Sequence, residues 1–410
     1  MIITRRTALG ALGASSLLTT VAPGFALASA ETDRRFLFIF LRGGMDSLTA
    51  VPAYGEPGFK ALRGSLADGD PGEGTSYDTL KLDGLFAMNP DLAFMHSLYT
   101  NGDLAILHAS CHGYRDRSHF DAQDAFDRGT VDKAMKSGWL NRMIAHLPGG
   151  MKTGRETLVM GLGPTLPLSL RGSEAVSSWS PPTAPKVSGD TMERLARLYA
   201  KDEVLHPALE KGLSAQSMGE EMGMGSEEAN NFVLFAEAAA RFLQPAGGAR
   251  IATIDYGNWD SHADQNGRAN VVTSAGTFHG RFAEMYLALD RGVKAFRDGM
   301  GDAWKDTVVI ALTEFGRTVR INGTRGTDHG TGGAGFVFGG AVKGGRVIAD
   351  WPGLKESQLN DGRELKATID NRALLKAVMR EHLGVPERAF ADILPGSDGI
   401  APLEGIVRST

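Results

Sequence analysis

The chain has 410 residues, 42% of them hydrophobic, which is enough apolar material for a sizeable core in one large or two modest domains. Its 43 lysines and arginines are outnumbered by 48 aspartates and glutamates, and the net charge of −5 excludes the basic surface that binding to nucleic acid requires. Cys111 is the single cysteine, which excludes an internal disulfide framework and a zinc or iron–sulfur site built from several cysteines.

The first thirty residues have the composition of an export signal. Arg5 and Arg6 precede a mildly apolar stretch without acidic residues, which ends in a small-x-small cleavage pattern at Ala28 to Ala30. We therefore predict a cleaved twin-arginine signal peptide over residues 1–30, which sends a folded protein to the periplasm or out of the cell. The alternative is a membrane anchor, but Gly, Ser, Thr and Pro interrupt the stretch well short of about 20 apolar residues. No later segment is long and apolar enough to span a bilayer.

In the remaining chain, short β-rich apolar runs alternate with segments whose apolar residues recur every three to four positions. The predicted strands are Phe36–Leu41, Leu104–Ala109, Thr157–Leu162, Ile251–Asp255, Thr307–Thr313 and Gly335–Phe338. The predicted helices are Asp121–Phe126, Met192–Ala200, Glu227–Phe242, Phe278–Phe296 and Asp370–Leu383. This alternation predicts an α/β sandwich with a largely parallel central sheet.

After the signal, we predict a single domain over residues 31–410 with a loop-rich insertion at about residues 173–226. Ser173–Gly189 is rich in Ser and Pro, and Gly212–Ser226 is rich in Met and Gly. Such segments suit either a lid over a site or plain surface excursions, and the sequence leaves both open.

Polar residues collect where the first two of these long strands end, and ligands of an open α/β sheet bind beyond the carboxyl ends of its strands. Asp46 follows Arg42 and a glycine pair after the first strand. The second strand is followed by His112 to Asp124, thirteen residues that hold two arginines and two histidines. In this segment Ser118 is either a simple helix N-cap or a nucleophile that faces an anion at the helix N-terminus. His119 and Asp121 are further candidates beside it.

Three later segments carry carboxylates and imidazoles. Asp260 and His262 are two residues apart, so in extended chain both side chains point the same way, as two ligands of zinc, manganese or iron would. A hydrogen-bonded loop pair is the alternative. Glu314 and Arg317 follow the fifth strand, and Asp328 and His329 lie in a glycine-rich loop before the sixth.

Six motifs carry a family resemblance: LRGGMDSL, YRDRSHFDAQD, GWLNR, NWDSH, TEFGRT and GTDHGTGGAGFVFGGAVKGG. In this order behind a twin-arginine signal, they resemble the exported family known as domain of unknown function 1501, over residues 35–408. That family is grouped with the alkaline-phosphatase-like superfamily of phosphatases, sulfatases and phosphomutases. The resemblance implies a three-layer α/β/α fold and a site in which two metals clamp a phosphoryl or sulfuryl group while a Ser or Thr attacks.

Position by position, the resemblance implies that Asp260, His262 and His329 hold a first metal and that Ser118 stands where the nucleophile would. The second metal would lose ligands, because Arg42 stands where the superfamily has an Asp. Asp46 could replace that Asp only if its loop folds back. Glu314 keeps a carboxylate for this metal, but the next residue is a phenylalanine where the superfamily has a histidine.

The sequence therefore predicts one divalent metal, such as zinc or manganese, with Arg42 and Arg317 facing an anionic group. The function expected is a metal-dependent hydrolase or transferase of phosphate or sulfate esters, with a small anionic ester as substrate. The alternative is a non-catalytic binding or assembly protein of the cell envelope that keeps the fold and binds a partner protein. A nucleotide cofactor is not expected, because no G-x-G-x-x-G follows any strand.

Overall fold

A computed structural model describes residues 33–149, 158–181, 232–265 and 281–408, with short pieces at 198–199, 202, 271–273 and 276–278. The predicted signal peptide, the predicted helix Met192–Ala200 except for two residues, and Gly212–Ser226 lie outside these ranges. Within them, no helix is both long and apolar enough to cross a membrane.

The described strands are β1 (Arg35–Leu41), β2 (Leu80–Lys81), β3 (Ala87–Met88), β4 (Leu104–Cys111), β5 (Val159–Leu162), β6 (Ser177–Trp179), β7 (Ile251–Tyr256), β8 (Val271–Thr273), β9 (Gly276–Phe278), β10 (Thr307–Leu312), β11 (Gly333–Phe338), β12 (Arg346–Ile348) and β13 (Ile369–Asp370). The described α-helices are α1 (Ser47–Ala50), α2 (Phe59–Arg63), α3 (Ala93–Thr100), α4 (His119–Arg128), α5 (Trp139–Ala145), α6 (Phe232–Leu243), α7 (Arg281–Met300), α8 (Asn371–Glu381) and α9 (Phe390–Ile393).

The central sheet has nine strands in the described chain, in the order β12-β4-β11-β10-β1-β7-β5-β6, with β13 also paired to β4. All of its described pairs are parallel except the two that β11 makes, with β10 and with β4. The expected largely parallel sheet is therefore confirmed, with one reversed strand in its middle. β2 pairs with β3 and β8 with β9 as separate hairpins.

Both faces of the sheet are apolar, and helices cover both. In β1 the side chains Leu37, Ile39 and Leu41 belong to one hydrophobic cluster, while the alternating phenylalanines between them belong to the other. The first cluster includes side chains of α3, α6 and α7, and the second includes side chains of α4, α5, α8 and α9. Alternate side chains of a strand point to opposite faces, so this pattern makes a three-layer α/β/α sandwich. The predicted fold class is confirmed.

Some predicted bounds differ from the structure. α4 begins at His119, two residues before the predicted Asp121, because Ser118 caps it. Part of the segment Ser173–Gly189, predicted as loop, is a strand: β6 pairs in parallel with β5 at the edge of the sheet. Only three residues long and half exposed, β6 carries too little apolar pattern to be predicted from sequence.

Candidate metal centre

Four polar segments meet at one edge of the sheet. The ends of β4, β7 and β10 lie at this edge because these strands are parallel, and the start of β11 lies there because β11 is antiparallel to its neighbours. Beyond β10 and β11 the pairing continues, since the Gly316 amide donates to Thr331 O at 3.0 Å and the Thr318 amide to Asp328 O at 2.9 Å. This extension carries the loop with His329 towards the loops that follow β4 and β7.

Three imidazoles and one carboxylate converge at this edge. His119 Nε2 lies 2.9 Å from His329 Nε2, which lies 3.1 Å from His262 Nε2. Asp260 Oδ1 lies 3.0 Å from His262 Nε2 and 3.3 Å from the Nε2 atoms of His119 and His329. We call these four residues the histidine cluster. The cluster is open on one side, where the side chains of Asp260 and His262 are 43% and 46% exposed.

Each imidazole of the histidine cluster has its other nitrogen held by an acceptor. His119 Nδ1 donates to Glu314 Oε1 at 2.8 Å, and His329 Nδ1 donates to the backbone carbonyl of Arg117 at 2.9 Å. His262 Nδ1 lies 3.3 Å from a carboxylate oxygen of Asp328. Because a carbonyl or carboxylate oxygen only accepts, Nδ1 of His119 and of His329 carries a proton, and the Nε2 of each neutral ring can present a lone pair to the centre of the cluster. His262 has a carboxylate oxygen beside each of its ring nitrogens.

The charges around the cluster favour an ionised Asp260. Burial raises the pKa of this carboxyl, but the hydrogen bond from Arg317 Nη2 at 2.7 Å and the guanidinium charge outweigh it and lower the pKa to about 2. Burial also lowers the pKa of His329. Unprotonated imidazole nitrogens and a carboxylate oxygen about 3 Å apart repel one another unless a cation or protons lie between them.

The donor set fits a divalent transition metal. Imidazole and carboxylate ligands suit zinc, iron and manganese, and zinc holds nitrogen at 2.0–2.1 Å, which separates tetrahedral ligand atoms by about 3.3 Å. The separations that involve His329 or Asp260, 2.9 to 3.3 Å, are close to this value, and the donor atoms of His119, Asp260 and His329 all lie within 4.8 Å of one another. Holding the second ring nitrogen of each histidine is also how proteins orient metal-binding imidazoles.

Close backbone packing fixes the loop that carries Asp260. Gly43 has φ +117°, and a Cβ on it would lie 2.5 Å from the Asp260 amide nitrogen, so the loops after β1 and β7 touch only because position 43 is glycine. The neighbouring Trp259 is fully buried, with its ring 5.2 Å from that of Tyr286 and 5.5 Å from that of Phe282. This anchor leaves the side chain of Asp260 to face outwards.

Two predicted metal ligands, Glu314 and Asp46, lie outside the histidine cluster. Glu314 is buried behind His119, where its Oε1 accepts from His119, from the Gly43 amide at 2.8 Å and from Gln123 at 2.9 Å. Asp46 is 1% exposed and caps α1, and its carboxylate accepts from Arg63 and Gln265. The expectation that Asp46 binds a metal does not match this placement, because a buried guanidinium already neutralises its charge. Asp328, another sequence candidate, holds His262 from outside.

The arginines expected to face an anion are placed elsewhere. Arg42 pairs with Asp127 at 2.8 Å and Asp255 at 2.9 Å and covers the ring of Phe40. The Arg317 side chain is 0% exposed, and its guanidinium donates to the carbonyls of Gly44, Gly43, Trp259 and Thr327 besides Asp260. With these acceptors, Arg317 connects three loops, and its buried guanidinium is not accessible to a ligand. Both arginines are therefore bound by other groups of the protein, contrary to the expectation that they face an anion.

Ser118 and Asp121 stand at the start of α4. The Ser118 hydroxyl accepts from the Asp121 amide at a long 3.5 Å, so the residue is the helix N-cap, next in the chain to His119. The Asp121 carboxylate points away and pairs with Lys133 at 2.9 Å. The N-cap position of Ser118 is thus compatible with both interpretations from sequence. Asp121 forms a surface ion pair.

The sequence pattern indicated His119 as a candidate but not its role, and it did not indicate Gln123. The two residues lie four apart on α4, on one face of the helix, and both donate to Glu314. This i, i+4 spacing after a strand end was the available signal. Other histidines are structural: His108, His112 and His382 are buried with a ring nitrogen on a backbone carbonyl, and Cys111 is a buried thiol.

The fold and the site define a three-layer α/β/α protein with a histidine-rich candidate metal centre at the carboxyl edge of its sheet. A family model described as Protein of unknown function (DUF1501) matches residues 113–394, and the chain belongs to this family. No curated protein matches the sequence.

Several solved structures are similar at low identity. A putative sulfatase from Bacteroides thetaiotaomicron is 10% identical over 91% of this chain and 73% of its own, with a TM-score of 0.39. A protein in the alkaline phosphatase superfamily from Vibrio parahaemolyticus is 9% identical over 84% and 65%, with a TM-score of 0.34. The C-terminal periplasmic domain of EcEptC from Escherichia coli, in complex with Zn, is 10% identical over 75% and 73%, with a TM-score of 0.31.

Proposed function

We propose that this protein is an exported, metal-dependent hydrolase or transferase of phosphate or sulfate esters that uses one divalent metal. The observation that carries the proposal is the convergence of three imidazole nitrogens and one carboxylate oxygen, each within 3.3 Å of the next, on an open edge of the sheet. The motifs that resemble the alkaline-phosphatase-like superfamily supply the reaction class.

The histidine cluster would hold the metal through His119, Asp260, His262 and His329. A metal bound there would polarise a non-bridging oxygen of the ester and offset the charge that develops in the transition state. The chain's own groups keep the ligands in place: Glu314, the Arg117 carbonyl and Asp328 fix the imidazoles, and Arg317 keeps Asp260 ionised and oriented.

Ser118 is the attacking hydroxyl in this proposal. It is next in the chain to His119 at the N-terminus of a ten-residue helix, where backbone amides and the helix dipole favour an anion. Its oxygen would form a bond to phosphorus or sulfur as the bond to the alcohol oxygen breaks, and the serine proton would pass through solvent to the departing alcohol. Water would then cleave the seryl ester, which releases phosphate or sulfate and restores the hydroxyl.

Arg363 supplies the positive charge that sequence reasoning assigned to Arg42 and Arg317. Its side chain is 49% exposed beside Asp328, and its nearest carboxylate oxygens, on Asp328 and Glu364, are 4.0 and 3.8 Å away, beyond hydrogen-bond distance. Asp260, His262 and Asp328 are exposed to a similar degree. Arg363 therefore has donors available to an anionic substrate on the open side of the cluster.

The test is turnover of p-nitrophenyl phosphate and p-nitrophenyl sulfate by zinc- or manganese-loaded protein. We expect kcat/KM to fall at least 100-fold in His262→Ala and His329→Ala. We expect kcat to fall in Ser118→Ala, and KM to rise tenfold or more in Arg363→Ala. His146→Ala is the matched control, because that histidine pairs with Asp392 at 2.6 Å on the surface.

Metal-loaded protein that turns over neither ester would contradict the proposal and favour the binding or assembly protein. Full turnover in Ser118→Ala would remove the serine from the mechanism.

A further inference from the structure

Strained backbone collects around the histidine cluster. In the described ranges six residues other than glycine have positive φ, and five of them, all except Ala109 in β4, lie in the loops that form or border the cluster. They are Arg117 (φ 61°), Asn258 (72°), Asp264 (46°), Arg325 (58°) and Asp361 (51°). A side chain in this conformation costs free energy, more for arginine than for asparagine or aspartate, and it persists only where the surroundings enforce it.

Four of these five residues are paired with one another. Arg325 Nε donates to Asp264 Oδ1 at 2.7 Å, and Arg117 Nη2 binds the Asp361 carboxylate. Each pair therefore joins two strained turns, and each contains one arginine and one aspartate. Arg117 is also paired with the buried Glu364, at 2.7 Å.

Each pair borders the histidine cluster directly. Asp264 lies two residues after His262, and the turn that contains Arg325 holds the His262 carbonyl through Thr324 Oγ1 at 2.6 Å and Asn322 Nδ2 at 2.9 Å. In the other pair, the backbone carbonyl of Arg117 accepts from His329 Nδ1. Two residues later in the chain comes His119.

Stability does not explain these pairs. The side chains of Asp264, Arg325 and Asp361 are 62% to 70% exposed, and ion pairs at such exposure add little to the free energy of unfolding. The positive φ of each partner costs free energy and reduces this small gain further. Asp264, Arg325 and Asp361 therefore add little to stability, whereas Arg117 also pairs with the buried Glu364. Because these pairs fix the turns beside the prospective ligands, they point to a positioning role.

We propose that the Asp264–Arg325 and Arg117–Asp361 pairs are positioning residues that preorganise the histidine cluster, so that they set metal affinity and not the stability of the fold. This inference rests on the proposed function only in requiring that the cluster binds a metal. Without the pairs, the loops would pay an ordering cost on binding the ion, and affinity would fall accordingly.

Glycine substitutions separate the two roles, because glycine accepts positive φ and removes the charge. In Arg325→Gly and Asp361→Gly, we expect the Zn²⁺ dissociation constant, from competition with a chromophoric chelator, to rise at least tenfold. The thermal midpoint of the metal-free full-length protein is expected to stay unchanged or rise. Exchanging the charges with Asp264→Arg and Arg325→Asp is expected to recover part of the affinity lost in Arg325→Gly.

Asp298→Ala is the matched control, since it breaks an exposed ion pair with Lys294 on α7, and its Zn²⁺ affinity is expected to equal that of the wild type. Unchanged Zn²⁺ affinity in both glycine variants, or a lower midpoint with unchanged affinity, would overturn the inference and leave the proposed function standing. Normal zinc binding by the wild type without ester turnover would contradict the proposed function and leave this inference standing. A wild-type chain that binds no Zn²⁺ would overturn both.

Discussion

At the scale of single residues, the imidazoles of this protein fall into two chemical classes. Those of the histidine cluster turn their Nε2 atoms towards one another. His108 and His112 are instead locked in the core. Each accepts a backbone amide on Nδ1, from Ala109 at 2.7 Å or Tyr114 at 2.8 Å, and each donates from Nε2 to a carbonyl. Protonating Nδ1 would set two N–H groups against each other.

Because these hydrogen bonds require neutral imidazoles, we predict that the folded protein loses stability in mild acid. Burial lowers the pKa of His108 and of His112 to about 4, so the unfolded chain, with histidine pKa values near 6.5, takes up these protons first as the pH falls. The stabilisation is complete above about pH 6.5 and is lost as the pH falls towards 4, at roughly 3 kcal/mol for each imidazole. Urea unfolding of the full-length protein at pH 7 and pH 5 measures it.

His108→Gln should be less stable at pH 7 but should show a shallower pH dependence than the wild type. An unfolding midpoint that does not change between pH 7 and pH 5 would contradict the expectation.

Residue spacing predicted part of the site. The two-residue spacing of Asp260 and His262 indicated a shared direction, and the structure places their donor atoms 3.0 Å apart. The roles of Arg42 and Arg317 could not be read in the same way, because a guanidinium next to a predicted ligand does not reveal its acceptors. Arg42 pairs with Asp127 and Asp255, which are distant in the chain, and Arg317 with carbonyls of other loops.

At the scale of elements, the loops after β1 and β7 form one unit because of Gly43. We predict that Gly43→Ala lowers the free energy of unfolding by about 1–3 kcal/mol for the positive φ alone, and further for the clash with the Asp260 amide. It should also weaken metal binding by moving Asp260. Thermal melts and zinc titration measure the two effects.

Gly396→Ala is the matched control for that substitution. Its φ of +74° imposes a similar backbone cost, but nothing lies within 4 Å of the added Cβ. Equal destabilisation in the two variants would contradict the close approach of the two loops.

Long strands were predictable because they are buried on both faces. β1, β4 and β10 are buried along their whole length. After its first residue, each of β1 and β10 is an unbroken apolar run, and β4 begins with four apolar residues. The edge strands β12 and β13 are half exposed and only three and two residues long, so no apolar run marks them. The reversal of β11 was not predictable, because strand direction follows from the path of the connections and not from the strand's own residues.

At the scale of the whole molecule, the sandwich explains why the histidine cluster forms at one edge of the sheet. Parallel strands bring their carboxyl ends to the same edge, and the single reversed strand among the described ones adds the loop that precedes it. Side chains separated by as many as 210 positions in sequence, such as His119 and His329, thereby come within 2.9 Å. Sequence alone gives each of these loops but not their meeting point.

The most direct test of the metal centre is the metal content of the purified protein, determined by elemental analysis. We expect close to one equivalent of a divalent transition metal, lost in His119→Ala, His262→Ala and His329→Ala and retained in His146→Ala. Metal that persists in His119→Ala would contradict the four-residue centre. Two equivalents in the wild type would contradict the single metal, and protein purified without metal would contradict the metal centre itself.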